Sequence, residues 1–430
     1  MLRVVILALS LCRLIGAEAT ESGPSPASIL AFPVPDALTL ADGRHVQNAQ
    51  TWLAKRRPEI LHAFADQIYG RTPSEKLPPQ FHVDSVDRSA FSGEAIRKQI
   101  TITFSRQADT PRIHLLVYQP VHARHPLPAI VGLNFEGNQT IDSDPGITLN
   151  DVWVPDPADS QQTNELRGHS RRRAAEDSRG RYNYRWQVDA LVQRGYALAT
   201  AYYGDIEPDF SGGLQYGVRS LFLKPGQTAV GPSEWGAIGA WAWGLSRILD
   251  YLETDPAIDA RKVAVIGHSR LGKAAVWAAA QDRRFAVLLS NESGMGGVSL
   301  YRAKNGETLE HLNTSFPYWF CGNFHQYTGH PERLPVDGNL LLSLCAPRPA
   351  YIASAQQDSF SNPSAEFLSA VLASKVYRLF GKPGLGTDVM PPVNQPIMLT
   401  LGYHVRTGIH EVTEYDWDQY LKFLDLQFRR

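Results

Sequence analysis

Cysteine is scarce in this sequence, which has three cysteines among 430 residues. Cys12 lies in an apolar N-terminal segment, so only Cys321 and Cys345 remain for the rest of the chain. This scarcity excludes the dense disulfide framework that stabilises small secreted domains. Because Cys345 borders an apolar run, one Cys321–Cys345 bridge and two free buried thiols are both compatible with the sequence.

The chain also lacks an excess of charge, with a formal net charge of -1 at pH 7. Without such an excess there is no general electrostatic attraction to nucleic acid or to a membrane surface. The sequence contains no zinc-ligand spacing, phosphate-binding loop or dinucleotide fingerprint. We therefore expect no cofactor, no metal, no nucleic-acid partner and no membrane partner, and we expect a monomer.

The one short apolar run near the start is typical of a signal peptide. A charged beginning at Arg3 precedes apolar residues 4–12, and residues 17–19 offer a small-x-small cleavage site. The run is too short to cross a bilayer. A lipoprotein signal through Cys12 is less favoured, because Leu11 stands where a small residue is needed. We predict a signal peptide over residues 1–19, one catalytic domain over residues 20–430, and a secreted or periplasmic protein.

Strand and helix patterns alternate along most of the chain, which predicts an α/β fold with a mostly parallel central sheet and antiparallel strands at its start. Helices are expected over residues 46–68 and 231–252. Strands are expected around residues 80–86, 99–104, 113–118, 128–134 and 197–203. Polar residues 137–185 and aromatic-rich residues 301–339 are expected to be insertions. The aromatic side chains of the second insertion fit either sugar stacking or packing onto the body of the protein.

The pattern that carries most chemical information surrounds Ser269. An apolar strand ends in Gly267-His268-Ser269, and a helical pattern follows at once. This is typical of a nucleophile elbow, in which a strained turn exposes the serine hydroxyl beside a helix N-terminus. The next glycine, Gly272, is three residues after the serine rather than two. An ordinary strand-turn-helix with a capping serine is the alternative.

Partners for such a serine occur in the order expected of a hydrolase triad, which is serine, acid, histidine. His410 lies in a loop between the last strand and the last helix. His404 is closer to the strand and is expected to be structural. Two acids, Glu292 and Asp358, each end an apolar run and could reach His410. Either acid could instead cap a helix or bind loop amides.

Four segments make the chain resemble the glucuronoyl esterase family: residues 266–272, 290–294, 344–349 and 406–410. The likeness also includes residues 56–61 and 69–73, so it spans nearly the whole mature chain, and it is strongest toward bacterial members. The resemblance implies an α/β-hydrolase fold, a three-layer sandwich. It implies a serine esterase that cleaves esters between 4-O-methyl-glucuronate of glucuronoxylan and lignin alcohols, through a Ser-His-Glu/Asp triad and an acyl-enzyme.

The same resemblance implies roles for further residues. Arg270 would add a positive charge to the oxyanion hole, and Lys273 and Glu307 would bind sugar hydroxyls. The acid of the triad would stand at Glu292, at Asp358, or at both. Phe360 occupies a position where a tryptophan is expected against the sugar ring, so stacking remains while the indole hydrogen bond is lost.

Other readings remain open at this point. An acetyl xylan esterase, or another carbohydrate carboxylesterase, would use the same triad without recognising the carboxyl side of the sugar. An inactive hydrolase fold could serve as a carbohydrate-binding protein. The basic run at residues 167–173 is expected to be a solvated loop, with contact to acidic xylan as the alternative.

Overall fold

The computed structural model describes residues 26–105, 107, 110–122, 126–155 and 169–428. The predicted signal peptide over residues 1–19 lies outside the described residues. Among the described helices, none combines the length and the apolar character needed to cross a membrane.

In the described part of the chain, twelve strands form a ten-stranded sheet and a separate hairpin. The strands are β1 (Gln80–Ala90), β2 (Ala95–Thr103), β3 (Arg112–Pro120), β4 (Leu127–Asn134), β5 (Asp151–Pro155), β6 (His169–Arg173), β7 (Ala197–Tyr202), β8 (Ile258–His268), β9 (Val287–Asn291), β10 (Ala350–Ala355), β11 (Ile397–Met398) and β12 (Leu401–Arg406). The order in the large sheet is β1-β2-β3-β7-β4-β8-β9-β10-β12-β11. Strands β7 through β12 in that order pair in parallel, whereas β1, β2, β3 and β11 pair antiparallel at the two sides.

The α-helices are α1 (Pro26–Ile29), α2 (Ala49–Thr51), α3 (Arg57–Phe64), α4 (Asn183–Trp186), α5 (Val188–Gln193), α6 (Tyr203–Ile206), α7 (Ala237–Leu252), α8 (Ser269–Gln281), α9 (Leu309–Ser315), α10 (Gly338–Ser343), α11 (Pro363–Leu379) and α12 (Glu414–Phe428). The π-helical turn Trp52–Arg56 joins α2 to α3, and a second π-helical turn, Ala65–Tyr69, extends α3, so that the whole forms one continuous helical segment. This segment corresponds to the helix predicted over residues 46–68.

The sheet separates two hydrophobic cores, and strand β8 shows how the sequence builds both. Val263 and Val265 face the core that contains α7 and α8, while Ala264 and Ile266 face the core that contains α5 and α12. This alternation follows from the two-residue period of a strand. Because both faces are covered by helices, the central strands are mostly apolar on both faces, and the predicted three-layer α/β architecture is confirmed.

Three predictions of local structure differ from the observed elements. Helix α7 begins at Ala237 rather than at residue 231, because Gly236 is extended and donates its N–H to the carbonyl oxygen of Tyr69. The first insertion contains the β5–β6 hairpin, and the second contains α9. Polar hairpins and short helices in long connections leave little apolar periodicity, so the sequence did not indicate them.

The turn between β8 and α8 requires two unusual backbone features. Ser269 has a φ of 56°, in the left-handed region that few side chains adopt without strain. At Gly267 an added Cβ would lie 2.0 Å from the carbonyl oxygen of Leu271. The strand and the helix therefore approach so closely that only glycine fits two residues before Ser269.

Substituting Gly267→Ala should lower the free energy of unfolding by about 1–3 kcal/mol, because the backbone must move to admit the methyl group. Urea denaturation of both proteins measures this difference. Gly231→Ala is the matched control, since its new Cβ would meet only the Glu234 side chain, at 3.7 Å. Equal losses for the two variants would show that close approach is not what constrains Gly267.

Candidate active site

Ser269 lies at the carboxyl edge of the parallel sheet, where β8 ends and α8 begins. Its side chain is half-buried. Strand β8 pairs with β9, β9 with β10, and β10 with β12, all in parallel. The loops that follow these four strands therefore meet at one edge of the sheet, around Ser269.

The two acids and the histidine predicted from the sequence come together at this edge. Glu292 follows β9, Asp358 follows β10, and His410 lies in the loop after β12. His410 Nδ1 is 2.7 Å from Asp358 Oδ2 and 3.1 Å from Glu292 Oε2. Both carboxylates are buried, whereas the His410 side chain is 39% exposed. The exposed side of the imidazole is therefore accessible at the edge of the sheet where Ser269 lies.

The two acids differ in pKa because their surroundings differ. Burial raises the pKa of Glu292 to about 7, although His410 and Arg406 oppose the increase. Burial also works against ionisation of Asp358, but hydrogen bonds from His410 and Ser361 lower its pKa to about 2. Burial disfavours a charged His410, yet its hydrogen bonds to both carboxylates raise its pKa to about 9. Asp358 is therefore the carboxylate that is fully ionised at neutral pH.

His268 lies directly against His410, with ring centroids 4.5 Å apart. Burial and the neighbouring His410 lower the pKa of His268 to about 3, so its imidazole is neutral. Its Nδ1 is 2.6 Å from Asn291 Oδ1. Potential metal-binding atoms of His268, Glu292 and His410 lie within 4.8 Å of one another. Glu292 already binds the Arg406 guanidinium, whose positive charge disfavours a cation at this place.

Arg406, the last residue of β12, holds the histidine loop in place, a role that was not predicted from the sequence. Its guanidinium is buried and donates to Asp416 Oδ2 at 2.8 Å and to Glu292 Oε1 at 2.9 Å. It also donates to carbonyl oxygens of the loop, those of Thr407, Ile409 and Glu411. An arginine directly before a histidine loop, with an acid in the next helix, is the only signal that could have indicated this role.

Arg270 is the first residue after Ser269, and Asp209 holds its guanidinium in an ion pair. The guanidinium carbon also lies 4.9 Å from the Trp319 ring centroid. Asp209 accepts further hydrogen bonds from the Tyr203 hydroxyl at 3.0 Å and from Trp319 Nε1 at 2.7 Å. Asp209 lies after α6, the short helix that follows β7, and no pattern in the sequence indicated it. The positive charge of Arg270 is thus fixed beside the elbow.

Lys273 lies four residues after Ser269 on α8 and thus on the same helical face. Its Nζ is 2.9 Å from Glu307 Oε2 and 3.0 Å from the carbonyl oxygen of Ser293, and this ion pair is buried. The Glu307 N–H donates to the carbonyl oxygen of Phe360. Phe360 is 51% exposed. The structure therefore brings the three residues that the resemblance implied for sugar binding next to one another.

Known proteins with similar sequences and structures agree on one family. A family model described as glucuronyl esterase of fungi matches residues 230–381. The carbohydrate esterase MZ0003 from an unknown prokaryotic organism is 44% identical over 399 residues, which cover 93% of this chain and 90% of that protein. The glucuronoyl esterase structure from Solibacter usitatus is 47% identical with a TM-score of 0.88, covering 94% of this chain and 100% of that chain. The chain belongs to the glucuronoyl esterase family.

The esterase is therefore a carboxylic ester hydrolase with an α/β-hydrolase fold, as the sequence predicted. A more distant relative is the 4-O-methyl-glucuronoyl methylesterase of Podospora anserina, 39% identical over 127 residues, which cover 27% of this chain and 26% of that protein.

His404, Cys321 and Cys345 lie in the buried interior of the esterase. His404 is fully buried, with Nε2 2.9 Å from Asp416 Oδ1 and Nδ1 3.0 Å from the Tyr351 hydroxyl. It therefore belongs to the core below the site, as expected. Cys321 and Cys345 are both buried and free, so of the two possibilities left by the sequence the structure has free thiols.

The His410 imidazole of the esterase should titrate near pH 9, well above the ordinary value of about 6.5. Asp358→Asn should lower that pKa more than Glu292→Gln. The reason is that Asp358 makes the shorter hydrogen bond to His410 and is the fully ionised acid. Heteronuclear NMR of the labelled imidazole measures both changes. Glu307→Gln is the control, since its carboxylate contacts Lys273 and not His410. A His410 that titrates near 6.5 in the parent protein would contradict the assigned pairing.

Proposed function

We propose that this esterase hydrolyses esters of glucuronic acid and 4-O-methyl-glucuronic acid, releasing the alcohol first and the uronic acid second. The observation that carries this proposal is the contact of His410 Nδ1 with two buried carboxylates, at the edge where Ser269 forms a strained elbow. The natural polymer we propose is glucuronoxylan esterified to lignin alcohols. The name of the Podospora anserina relative supports the uronate side of this assignment.

In the proposed mechanism, Ser269 Oγ attacks the ester carbonyl while the neutral form of the His410 imidazole, whose share rises as the pH approaches its pKa of about 9, takes the serine proton. Asp358 keeps the proton on Nδ1 and stabilises the imidazolium, and Glu292 supports the same edge of the ring. Arg270 and the first backbone amides of α8 stabilise the oxyanion, because a fixed charge and a helix N-terminus both favour negative charge there. His410 then protonates the leaving alcohol, and water repeats the sequence to release the uronic acid.

Lys273 and Glu307 would bind the acyl side of the proposed substrate through hydrogen bonds. Before substrate binds, these buried side chains satisfy each other. A sugar whose hydroxyl groups bind to this pair keeps both charged groups hydrogen-bonded. An acyl group without hydroxyls cannot form hydrogen bonds with the pair. Phe360 offers an exposed ring, with His311 against its edge at 5.1 Å between centroids. The two polar groups therefore favour uronates over simple acyl groups such as acetate.

We also propose that the protein is exported, on the basis of the N-terminal sequence pattern. Export places the enzyme where plant cell-wall polymers occur.

Ser269→Ala should reduce kcat on benzyl glucuronate by about a thousandfold or more, because the acyl-enzyme route has no other nucleophile. Circular dichroism should show an unchanged fold.

The parent protein should turn over benzyl glucuronate much faster than acetylated xylan, and a comparison with methyl galacturonate gives its preference for the sugar. Faster release of acetate than of the uronic acid would replace the proposal with an acetyl xylan esterase, and no turnover of either would indicate an inactive hydrolase fold.

Lys273→Met should lower kcat/KM on benzyl glucuronate about tenfold or more, since hydrogen bonds to charged groups contribute about 1.5–3 kcal/mol. Its effect on p-nitrophenyl acetate should be small, because an acetyl group does not extend to the lysine. Lys382→Met, at an exposed position after α11, is the control. Equal losses on both esters would mean that Lys273 supports the elbow and not the sugar.

A further inference from the structure

A second cleft lies beside the active site, and nothing in the proposed mechanism uses it. Its volume is ≈ 680 Å³, and its walls come from the start of β3, the β5–β6 hairpin and the segment after α6. The side chains that give it its chemical character are those of Arg112, His114, Trp153, Arg171, Arg173 and Tyr216. We call it the basic groove.

The topology places the basic groove at the same edge of the sheet as Ser269. Strand β3 runs antiparallel to β7, with Leu115 opposite Ala201. The start of β3 therefore lies at the carboxyl end of β7, which is parallel to β4 and so points the same way as β8. Arg112 and His114 occupy that start.

The Phe210 ring connects the groove to the catalytic machinery. Phe210 follows Asp209, the residue that holds Arg270. The Phe210 ring lies 5.2 Å from Trp153 and 4.4 Å from His169, between centroids. Trp153 in turn is 4.9 Å from Tyr216, which is 55% exposed. The aromatic wall of the groove thus begins one residue away from the group that holds Arg270.

The hairpin presents cations and an aromatic ring on one face. Arg171 and Arg173 are two residues apart on β6, and they pair with Trp153 and Asp151 of β5. Residues at this spacing, and their cross-strand partners, share a face of a two-stranded ribbon. Asp151 approaches Arg171 at 3.7 Å, and both side chains are about half exposed. On this face the groove carries the guanidinium groups of Arg171 and Arg173 and the carboxylate of Asp151.

The chemistry of an acidic xylan suggests an occupant. The uronate in the active site is an ester and carries no charge at its carboxyl group, so the catalytic site cannot use that charge for binding. Other uronates on the same chain are free carboxylates, and guanidinium groups bind carboxylates in a planar, bidentate way. Exposed aromatic rings provide apolar surface for sugar faces. A groove with both features, next to the reacting ester, fits a charged stretch of the same polymer.

We propose that the basic groove binds an unesterified uronate, together with its neighbouring sugars, on the acidic polysaccharide whose esterified uronate occupies the active site. This inference rests on the proposed function. The groove thereby distinguishes polymeric substrate from small esters, since only the polymer can occupy both places at once.

The double variant Arg171→Gln/Arg173→Gln should lower kcat/KM on esterified glucuronoxylan about tenfold and leave benzyl glucuronate hydrolysis unchanged. In the parent protein, the ratio of kcat/KM on the polymer to kcat/KM on benzyl glucuronate should also fall as salt is added, because exposed charges are screened. Arg283→Gln, an exposed arginine before β9, is the matched control and should affect neither substrate. An unchanged rate on the polymer, or equal losses on polymer and small ester, would overturn the proposal.

A binding measurement separates this inference from the proposed function. The Ser269→Ala protein is titrated calorimetrically with a xylooligosaccharide that carries one free 4-O-methyl-glucuronate, and with the neutral oligosaccharide of the same length. The acidic sugar should bind more tightly, and the substitutions Arg171→Gln and Arg173→Gln should remove the difference. If they do not, the groove does not bind uronates. Failure of the parent protein to hydrolyse benzyl glucuronate would instead refute the proposed function.

Discussion

The buried guanidinium of Arg406 is the interaction on which the rest of the site depends. It joins Asp416 of α12, Glu292 after β9 and the backbone of the histidine loop. Each of these groups is removed from water, so each would cost free energy if left unpaired. Loss of one partner from such a buried pair typically destabilises a protein by about 3–5 kcal/mol. The position of His410 is therefore coupled to the packing of the last helix.

The same arrangement explains why two acids beside one histidine are not equivalent. Glu292 is fully buried, and burial raises its pKa to about 7 although His410 and the paired Arg406 guanidinium oppose the increase. Asp358 receives hydrogen bonds from His410 and from Ser361, which keep its pKa at about 2 despite burial. One acid thus supplies a permanent charge to the imidazole, and the other links the imidazole to the core.

Substrate recognition in this fold divides between two chemically different surfaces. The buried Lys273–Glu307 pair is suited to the hydroxyl groups of a sugar whose carboxyl group is esterified. The basic groove is suited to carboxylates that remain free. Asp209 and Phe210 connect the two surfaces, because Asp209 fixes Arg270 while Phe210 packs against Trp153.

The sequence alone determined the features that depend on local pattern. The apolar run before Gly267 and the helical pattern after Ser269 predicted the elbow, and the alternation of strands and helices predicted a mostly parallel sheet. Chain order then indicated Glu292, Asp358 and His410, since residues after neighbouring parallel strands meet at one edge. Tertiary structure alone decided how these groups pair, because the distances from His410 to the two acids and the charge state of each depend on burial and on partners distant in sequence. The same holds for the roles of Arg406, Asp209 and the Arg171–Trp153 face. These roles depend on contacts between residues distant in sequence, which periodicity and spacing in the chain do not indicate.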